Sequence, residues 1–381
     1  MASHDLEKMF CGRDFHSCFP EINSIRFESG NQSTARQVEL RGVEISLRLS
    51  NTGSGAVSSP RRCRGDWVER NYQSAILVHA FDRFSDLEEF LDRFAAIQGP
   101  ELIAVIGPRK DFQRATEQKR DRVKLLYQDV FWKSMALSQA LQQCEAEIIV
   151  LTDIDCWITQ DWFDRLLTPI LRDGEDVVTG PSLPSPSFHP FVQYQRSHDL
   201  TLIAARGRYI DGIFGRNTAV QRTALERAGG FNLEIRTGDD YWLGTQLLKA
   251  GYRIRFLNNP IQSRYETSPW SYLRQQSRWL RNILSIGSQH KRDHELRSAW
   301  WTVAISCLLV LSALGGAWHW RLALPAVAIF GWGAWRRQQR VFRAGPHWKA
   351  ALLAPFFQVL DHMARILALF RYLIPNLRNR W

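Results

Sequence analysis

The stretch "EIIVLTDIDCW", Glu147–Trp157, decides how this chain is read. Its first half is a continuous apolar run, the pattern of a strand buried on both faces. Its second half sets Asp153 and Asp155 one residue apart. Strand alternation would put both carboxylates on one side, where their charges repel, so the pair needs a partner. Two carboxylates at i and i+2 can hold a hard divalent cation, which takes oxygen ligands and shares them with substrate phosphates. The plain alternative is a solvated strand end, with Asp155 capping a turn.

The neighbouring sequence repeats the pattern. "SAILVHAF" (Ser74–Phe81), "ELIAVIG" (Glu101–Gly107) and "RVKLLY" (Arg122–Tyr127) are strand candidates, while "SDLEEFLDRFAAI" and "WKSMALSQALQQC" are helical. The alternation over about 72–260 predicts an α/β fold with a mainly parallel sheet covered by helices. Ligands of such sheets bind beyond the carboxyl ends of the strands, where Asp153 and Asp155 stand.

With 381 residues the chain can hold one large or two modest domains. Its formal charge is +11, yet acids and bases are interspersed and the clusters "RRCR" and "RRQQR" are short. That distribution argues against a nucleic-acid partner and leaves a membrane surface or a phosphate-bearing substrate. Cys11, Cys18, Cys63, Cys144, Cys156 and Cys307 form no CxxC pair, so no zinc spacing is present. A reduced, cytosol-facing chain is expected, and the first residues lack the pattern of a secretory signal. Residues 1–71 are expected to be a partly disordered extension, rich in Gly and Ser, with one strand at Val43, Ile45, Leu47 and Leu49.

The last third changes character. "AWWTVAISCLLVLSALGGAW", Ala299–Trp318, runs 20 residues without a charge, enough to span a bilayer. Trp300, Trp301 and Trp318 lie at its margins, as in an aromatic belt. "LALPAVAIFGWGAW", Leu322–Trp335, follows, with basic flanks "HKRDHELR" and "RRQQR" on one side. The expectation is a two-helix hairpin over 299–335 with the catalytic domain in the cytosol. A further helix over 348–374 carries Gln358, Asp361, His362 and Arg365 on one face. It reads as an amphipathic helix in the interface or a third span, with Asp361 and Arg365 able to pair at i,i+4.

Two more stretches can carry chemistry. In "RTGDDYWLGTQLLKAGYRIRFL" a Gly-Asp-Asp turn opens a helix that Gly251 closes. Asp239 and Asp240 would sit at its N-terminus, where the helix dipole favours ionised carboxylates. A carboxylate held there can act as general base toward a hydroxyl, or can simply cap the helix. In "SPWSYLRQQSRWLRNIL", Gln275, Arg278 and Trp279 share one helical face. An indole and an amide suit a sugar, and a guanidinium fork suits a phosphate. The same helix could also lie against a membrane.

The spacing of these elements is specific. A lysine helix precedes the acid pair, Asp240 lies 35 residues before Gln275, and "QQSRW" fits Q-x-x-R-W. Over about Ala75–Ile286 the chain resembles the membrane-bound family 2 glycosyltransferases, which include cellulose, chitin and hyaluronan synthases and ceramide glucosyltransferase. "AVQRTALERAGGFN" matches the segment preceding the catalytic acid of that family. The resemblance implies a GT-A catalytic domain over 72–290 and inverting transfer from a nucleotide-diphosphate sugar, a UDP-sugar first among them. It implies Asp153 and Asp155 as ligands of Mg²⁺ or Mn²⁺, Asp240 as the base, and Asp239 beside it. Gln275, Arg278 and Trp279 would line the acceptor and diphosphate end, and Lys133 would lie near the nucleotide.

The family's base-reading aspartate is missing from "VIGPRKD", which leaves Asp111 or another mode of recognition. Asp82 of "HAFD" would take the polar role after the first strand. The acceptor would be a lipid or glycan at the membrane, for polysaccharide or glycolipid synthesis. Two alternatives stay open: a non-catalytic membrane-anchored sugar-nucleotide or glycan-binding subunit, and a processive synthase that borrows a channel from membrane partner subunits.

Overall fold

The computed structural model describes residues 39–40, 43–44, 73–81, 83–107, 122–129, 132–204, 206–235, 238–265, 267–289, 293–344 and 348–374. By its internal contacts the chain divides into Met1–Asn71 and Tyr72–Trp381. In the first unit the described residues form an antiparallel pair, β1 (Glu39–Leu40) and β2 (Val43–Glu44); Ile45, Leu47 and Leu49 of the expected strand lie outside the described residues.

The second unit begins β3 (Ser74–Phe81), α1 (Phe84–Ala95), β4 (Glu101–Ile106), β5 (Val123–Tyr127), α2 (Lys133–Gln142), β6 (Ile148–Leu151). These are the elements the apolar runs predict, and their strands pair in parallel, β6 with β3, β3 with β4 and β4 with β5. Then follow β7 (Cys156–Trp157), α3 (Gln160–Asp173), β8 (Val177–Thr179), β9 (Ser182–Pro184), α4 (Pro190–Ala204), β10 (Tyr209–Ile210), β11 (Thr218–Gln221), α5 (Arg222–Arg227), α6 (Asp239–Lys249), β12 (Ile254–Phe256) and β13 (Ile261–Ser263). The main sheet has the order β10-β12-β8-β11-β6-β3-β4-β5. It is mainly parallel, as expected, with β11 antiparallel between β6 and β8 and β10 antiparallel to β12 at the edge. A smaller sheet, β7-β13-β9, stands beside it.

Apolar side chains fill both faces of the main sheet. Leu87, Phe90 and Phe94 of α1 and Leu166 of α3 cover one face, and Ala136, Leu137, Leu243 and Leu247 cover the other. Burial of strand residues on both faces is why β3, β4 and β6 read as unbroken apolar runs rather than alternating ones.

Among the described residues five more helices follow: α7 (Pro269–Gln289), α8 (Asp293–Trp318), α9 (Leu324–Ala344, after a 3₁₀ turn at Trp320–Ala323), the short α10 (Trp348–Leu352) and α11 (Ala354–Leu373). Among the described residues one helix is long and apolar enough to cross a membrane, over Leu296–Gly316, with mean hydropathy 1.7 and little of it buried. The turn into α9 is tight: a Cβ on Gly316 would lie 2.6 Å from that of Ala323. α9 is less apolar because Arg336, Arg337, Arg340 and Arg343 occupy its second half.

The i,i+4 pair expected between Asp361 and Arg365 gives way to a longer-range one. Asp361 binds Arg337 of α9 at 2.5 Å and Tyr272 of α7 at 2.8 Å, and Arg365 turns to His362. Arg337 lies among packed helices and can be satisfied only by a partner from another element.

Candidate active site

The acids that open the sequence do not lie on a strand. β6 ends at Leu151, and Asp153 to Cys156 form a turn closed by Cys156 N–H donating to the Asp153 carbonyl at 3.0 Å. Their carboxylates are therefore placed by the turn, and each has its own cations. Lys133, the first residue of α2, donates to Asp153 Oδ1 at 2.7 Å, and Arg216 Nε lies 3.3 Å from Asp153 Oδ2. Asp155 is buried and sits 3.5 Å from Arg83. Burial opposes ionisation of Asp153, but Lys133 and Arg216 outweigh it and bring its pKa down to about 2. Burial likewise disfavours the charges on Lys133 and Arg216, and the acids overcome it.

Lys133 also reaches Asp239, at 3.9 Å. Asp239 and Asp240 open α6, after Gly238 at φ +83°. Here burial dominates: with Asp240 and Asp153 adding to it and Lys133 opposing it, the Asp239 pKa rises to about 6. Gly215 backs onto Asp240, and a Cβ there would stand 2.9 Å from Asp240 Cβ and 3.4 Å from its Oδ2. At the other end of α6, Gly251 at φ +87° and the Tyr252 N–H donating to Leu247 O stop the helix as predicted.

The helix bearing Q-x-x-R-W lies across this turn. A Cβ on Gly238 would come within 2.9 Å of Ile286 Cδ1 and 3.0 Å of Asn282 Nδ2 on α7. Gln275, Arg278, Asn282 and Ile286 follow helical spacing along one stripe. Arg278 is exposed; partial loss of water and the like charge of Arg216 lower its pKa, against the pull of Asp153, Asp240 and Asp239. Gln275 is half-buried and Trp279 is exposed. Thus Lys133, Asp153, Asp239, Asp240 and Arg278 share one region, with Asp155 alongside. Asp82 and Asp111 lie outside the described residues.

Arg216 is the residue that the sequence patterns missed. β11 pairs antiparallel with β6, Thr218 opposite Leu151, so the residues before β11 meet the residues after β6. Arg216 reaches Asp153 this way and also donates to Ser263 Oγ at 3.0 Å. Its neighbour Asn217 accepts from Trp162 Nε1 and donates to the carbonyls of Pro181 and Asn259. The signal was "FGRN", a Gly-bearing turn directly before a strand. Trp157, unassigned from sequence, has Arg93 and Arg264 over its ring at 5.0 and 5.8 Å. Cys156 is fully buried in the core.

The donor chemistry suits a divalent cation. Asp153 and Asp155 offer hard carboxylate oxygens, and among the described residues no three His, Cys, Asp or Glu gather to cage an ion. A cation held there would draw its remaining ligands from substrate phosphates and water.

The sequence profile of glycosyl transferase family group 2 matches residues 148–357, more than half of the chain, and the chain belongs to that family. It is a glycosyltransferase. No curated protein matches it. Among solved structures it is similar to the mannosyltransferase PcManGT from Pyrobaculum calidifontis, determined in complex with GDP-Man and Mn²⁺. That likeness has a TM-score of 0.54 at 18% identity and covers 82% of this chain and 91% of the other. It is a likeness of fold, a mixed α/β domain of GT-A type. TarS of S. aureus is also matched, with a TM-score of 0.39, 14% identity, and 56% and 40% of the two chains covered.

Proposed function

We propose that this chain transfers a sugar, with inversion, from a nucleotide-diphosphate sugar to a glycan or lipid acceptor at a membrane, as the membrane-bound members of its family do. The carrying observation is Lys133, 2.7 Å from Asp153 and 3.9 Å from Asp239. It draws the acid pair after β6 and the Gly-Asp-Asp turn into one site, where donor and acceptor would meet.

Asp240 takes the proton of the acceptor hydroxyl, whose oxygen attacks the anomeric carbon. The bond from that carbon to the diphosphate breaks, and the nucleoside diphosphate leaves with the electron pair. Arg278 and Lys133 stabilise the charge that develops on the leaving group. Asp153 and Asp155 would hold Mg²⁺ or Mn²⁺, which supplies Lewis-acid stabilisation of the diphosphate when bound. Gln275 and Trp279 orient the acceptor, and Asp82 and Asp111 remain candidates for donor contacts.

The 72–290 segment carries this chemistry, and the later helices anchor it. The apolar Leu296–Gly316 segment supports an integral protein with its catalytic part on the cytosolic side. A processive synthase needs a wide channel, which one such helix would build only with partner subunits; transfer to a lipid or surface glycan needs anchorage alone.

The test is a panel of nucleotide-sugars offered to the full chain in detergent with Mg²⁺ or Mn²⁺ and a membrane lipid extract, followed by mass analysis. A sugar added to a lipid or glycan supports the proposal. A protein that consumes no donor on the panel refutes it.

A further inference from the structure

The C-terminal helix α11 is attached to the helix that carries Q-x-x-R-W at two points. Tyr272 donates its hydroxyl to Asp361 Oδ1 at 2.8 Å, and Asp361 Oδ2 accepts from Arg337, which also donates to Tyr194 at 3.1 Å. Below this, Phe357 of α11 is fully buried, stacked on the Tyr194 ring at 3.8 Å and edge-on to Tyr272 at 5.0 Å. The second point is Arg371, which donates to Ser277 Oγ at 3.3 Å with both residues buried.

One point lies just before the site motif and the other within it, since Tyr272 precedes Gln275 by three residues and Ser277 directly precedes Arg278. Ser277 lies away from the stripe that faces the catalytic turn, and Tyr272 stands one helical turn before Gln275 on the flank of that stripe. Leu273, Ser277 and Leu284 are buried along one side of α7, while Asn282 and Ile286 press on Gly238 along another. Helix α7 is therefore gripped between α11 and the turn that bears Asp239 and Asp240.

We infer that Asp361 is a positioning residue for sugar transfer: through Tyr272 it sets the seat of α7, and with it Gln275 and Arg278, against the Asp240 turn. Each element here is bound by hydrogen bonds of fixed direction, so loss of one lets α7 slide or rotate. A shift of about 1 Å at such a site is costly to turnover. The inference rests on the proposed roles of Asp240 and the Q-x-x-R-W residues.

The test uses the full chain in detergent, with Asp361→Ala, Tyr272→Phe and the double variant. Tyr272→Phe keeps the ring in its aromatic setting, so it remains informative if the alanine variant leaves Arg337 unpaired and fails to fold. The expected result is a kcat lowered about tenfold with donor KM within twofold, the double variant no worse than either single one. Hydrogen exchange should rise over 272–282 and stay unchanged in β3 and β6. Wild-type turnover, equal losses in kcat and donor affinity, or multiplying losses in the double variant would each overturn it. An Asp240→Asn enzyme that still turns over would remove the base assignment while leaving the exchange result standing.

Discussion

Gly215 is packed against Asp240 so closely that a methyl group at position 215 would stand 2.9 Å from Asp240 Cβ. The proposed base is thus held from behind by a backbone that has no side chain to give. Gly215→Ala must push the carboxylate toward the acceptor or tilt it away. Turnover should fall by about 10- to 100-fold, on the scale of an ångström-level misplacement, with nucleotide binding retained. Steady-state kinetics beside calorimetric titration with UDP and GDP checks this; wild-type kcat would mean that Asp240 is not the positioned group.

Asp240→Asn keeps the shape of that side chain and removes its basicity. Transfer should drop by at least about 10²-fold, the contribution of a positioned base, while nucleotide binding persists. Near-normal turnover in this variant would end the assignment.

Excess chelator should abolish transfer, and Mg²⁺ or Mn²⁺ should restore it, if Asp153 and Asp155 serve the diphosphate through a cation. Activity that persists in chelator would remove that role. Asp153→Asn carries a second cost, since it leaves Lys133 and Arg216 beside a neutral amide. The variant should melt well below the wild type, because breaking a buried pair costs about 3–5 kcal/mol and these groups keep some solvent contact that lessens it.

Stability should depend on pH through two carboxyls of opposite sign. Asp153, lowered to about 2, contributes stability above the ordinary carboxylate value that is lost as pH falls toward 2. Asp239, raised to about 6, binds its proton more tightly folded than unfolded, so it costs stability as pH rises from 3.8 through 6. Asp239→Asn in metal-free protein should therefore raise the melting temperature at pH 7.5, with the gain shrinking below pH 5. A gain that persists undiminished at pH 4 would contradict this.

Cys156 should be inert. It is fully buried, and burial together with Asp155 pushes its thiol pKa up to about 12, so almost no thiolate forms at pH 8. Alkylation of the native protein followed by peptide mass analysis should leave Cys156 unmodified until denaturant is added. Rapid labelling without denaturant would show that the turn opens.

The parts legible in the sequence are those whose signal is local. Apolar runs gave β3, β4 and β6 because parallel strands covered on both faces cannot alternate, while the half-buried edge strand β5 was marked by its shorter run. Gly238 and Gly251 bounded α6 because left-handed backbone at a helix end favours glycine. The illegible parts depend on strand direction and distance. A parallel neighbour of β6 would have carried its preceding turn to the amino end of that strand, away from the acids. Antiparallel β11 brings Arg216 to the acids instead, and no arginine among many announces that from its neighbours in sequence. Asp361 was read with Arg365 because i,i+4 spacing is visible in a string of letters, whereas Arg337 lies on another helix.

Helix α7 shows Trp270, Arg274, Arg278 and Trp279 to water and covers its remaining sides. One side rests on Gly238 and the other buries Leu273 and Leu284 beneath the C-terminal helices. Trimming the chain near residue 290 to obtain a soluble enzyme would strip that cover and leave an apolar ridge in solvent. The shortened protein should clump or lose the helix, so the C-terminal helices and the transferase domain are to be purified, crystallised and engineered as a single body.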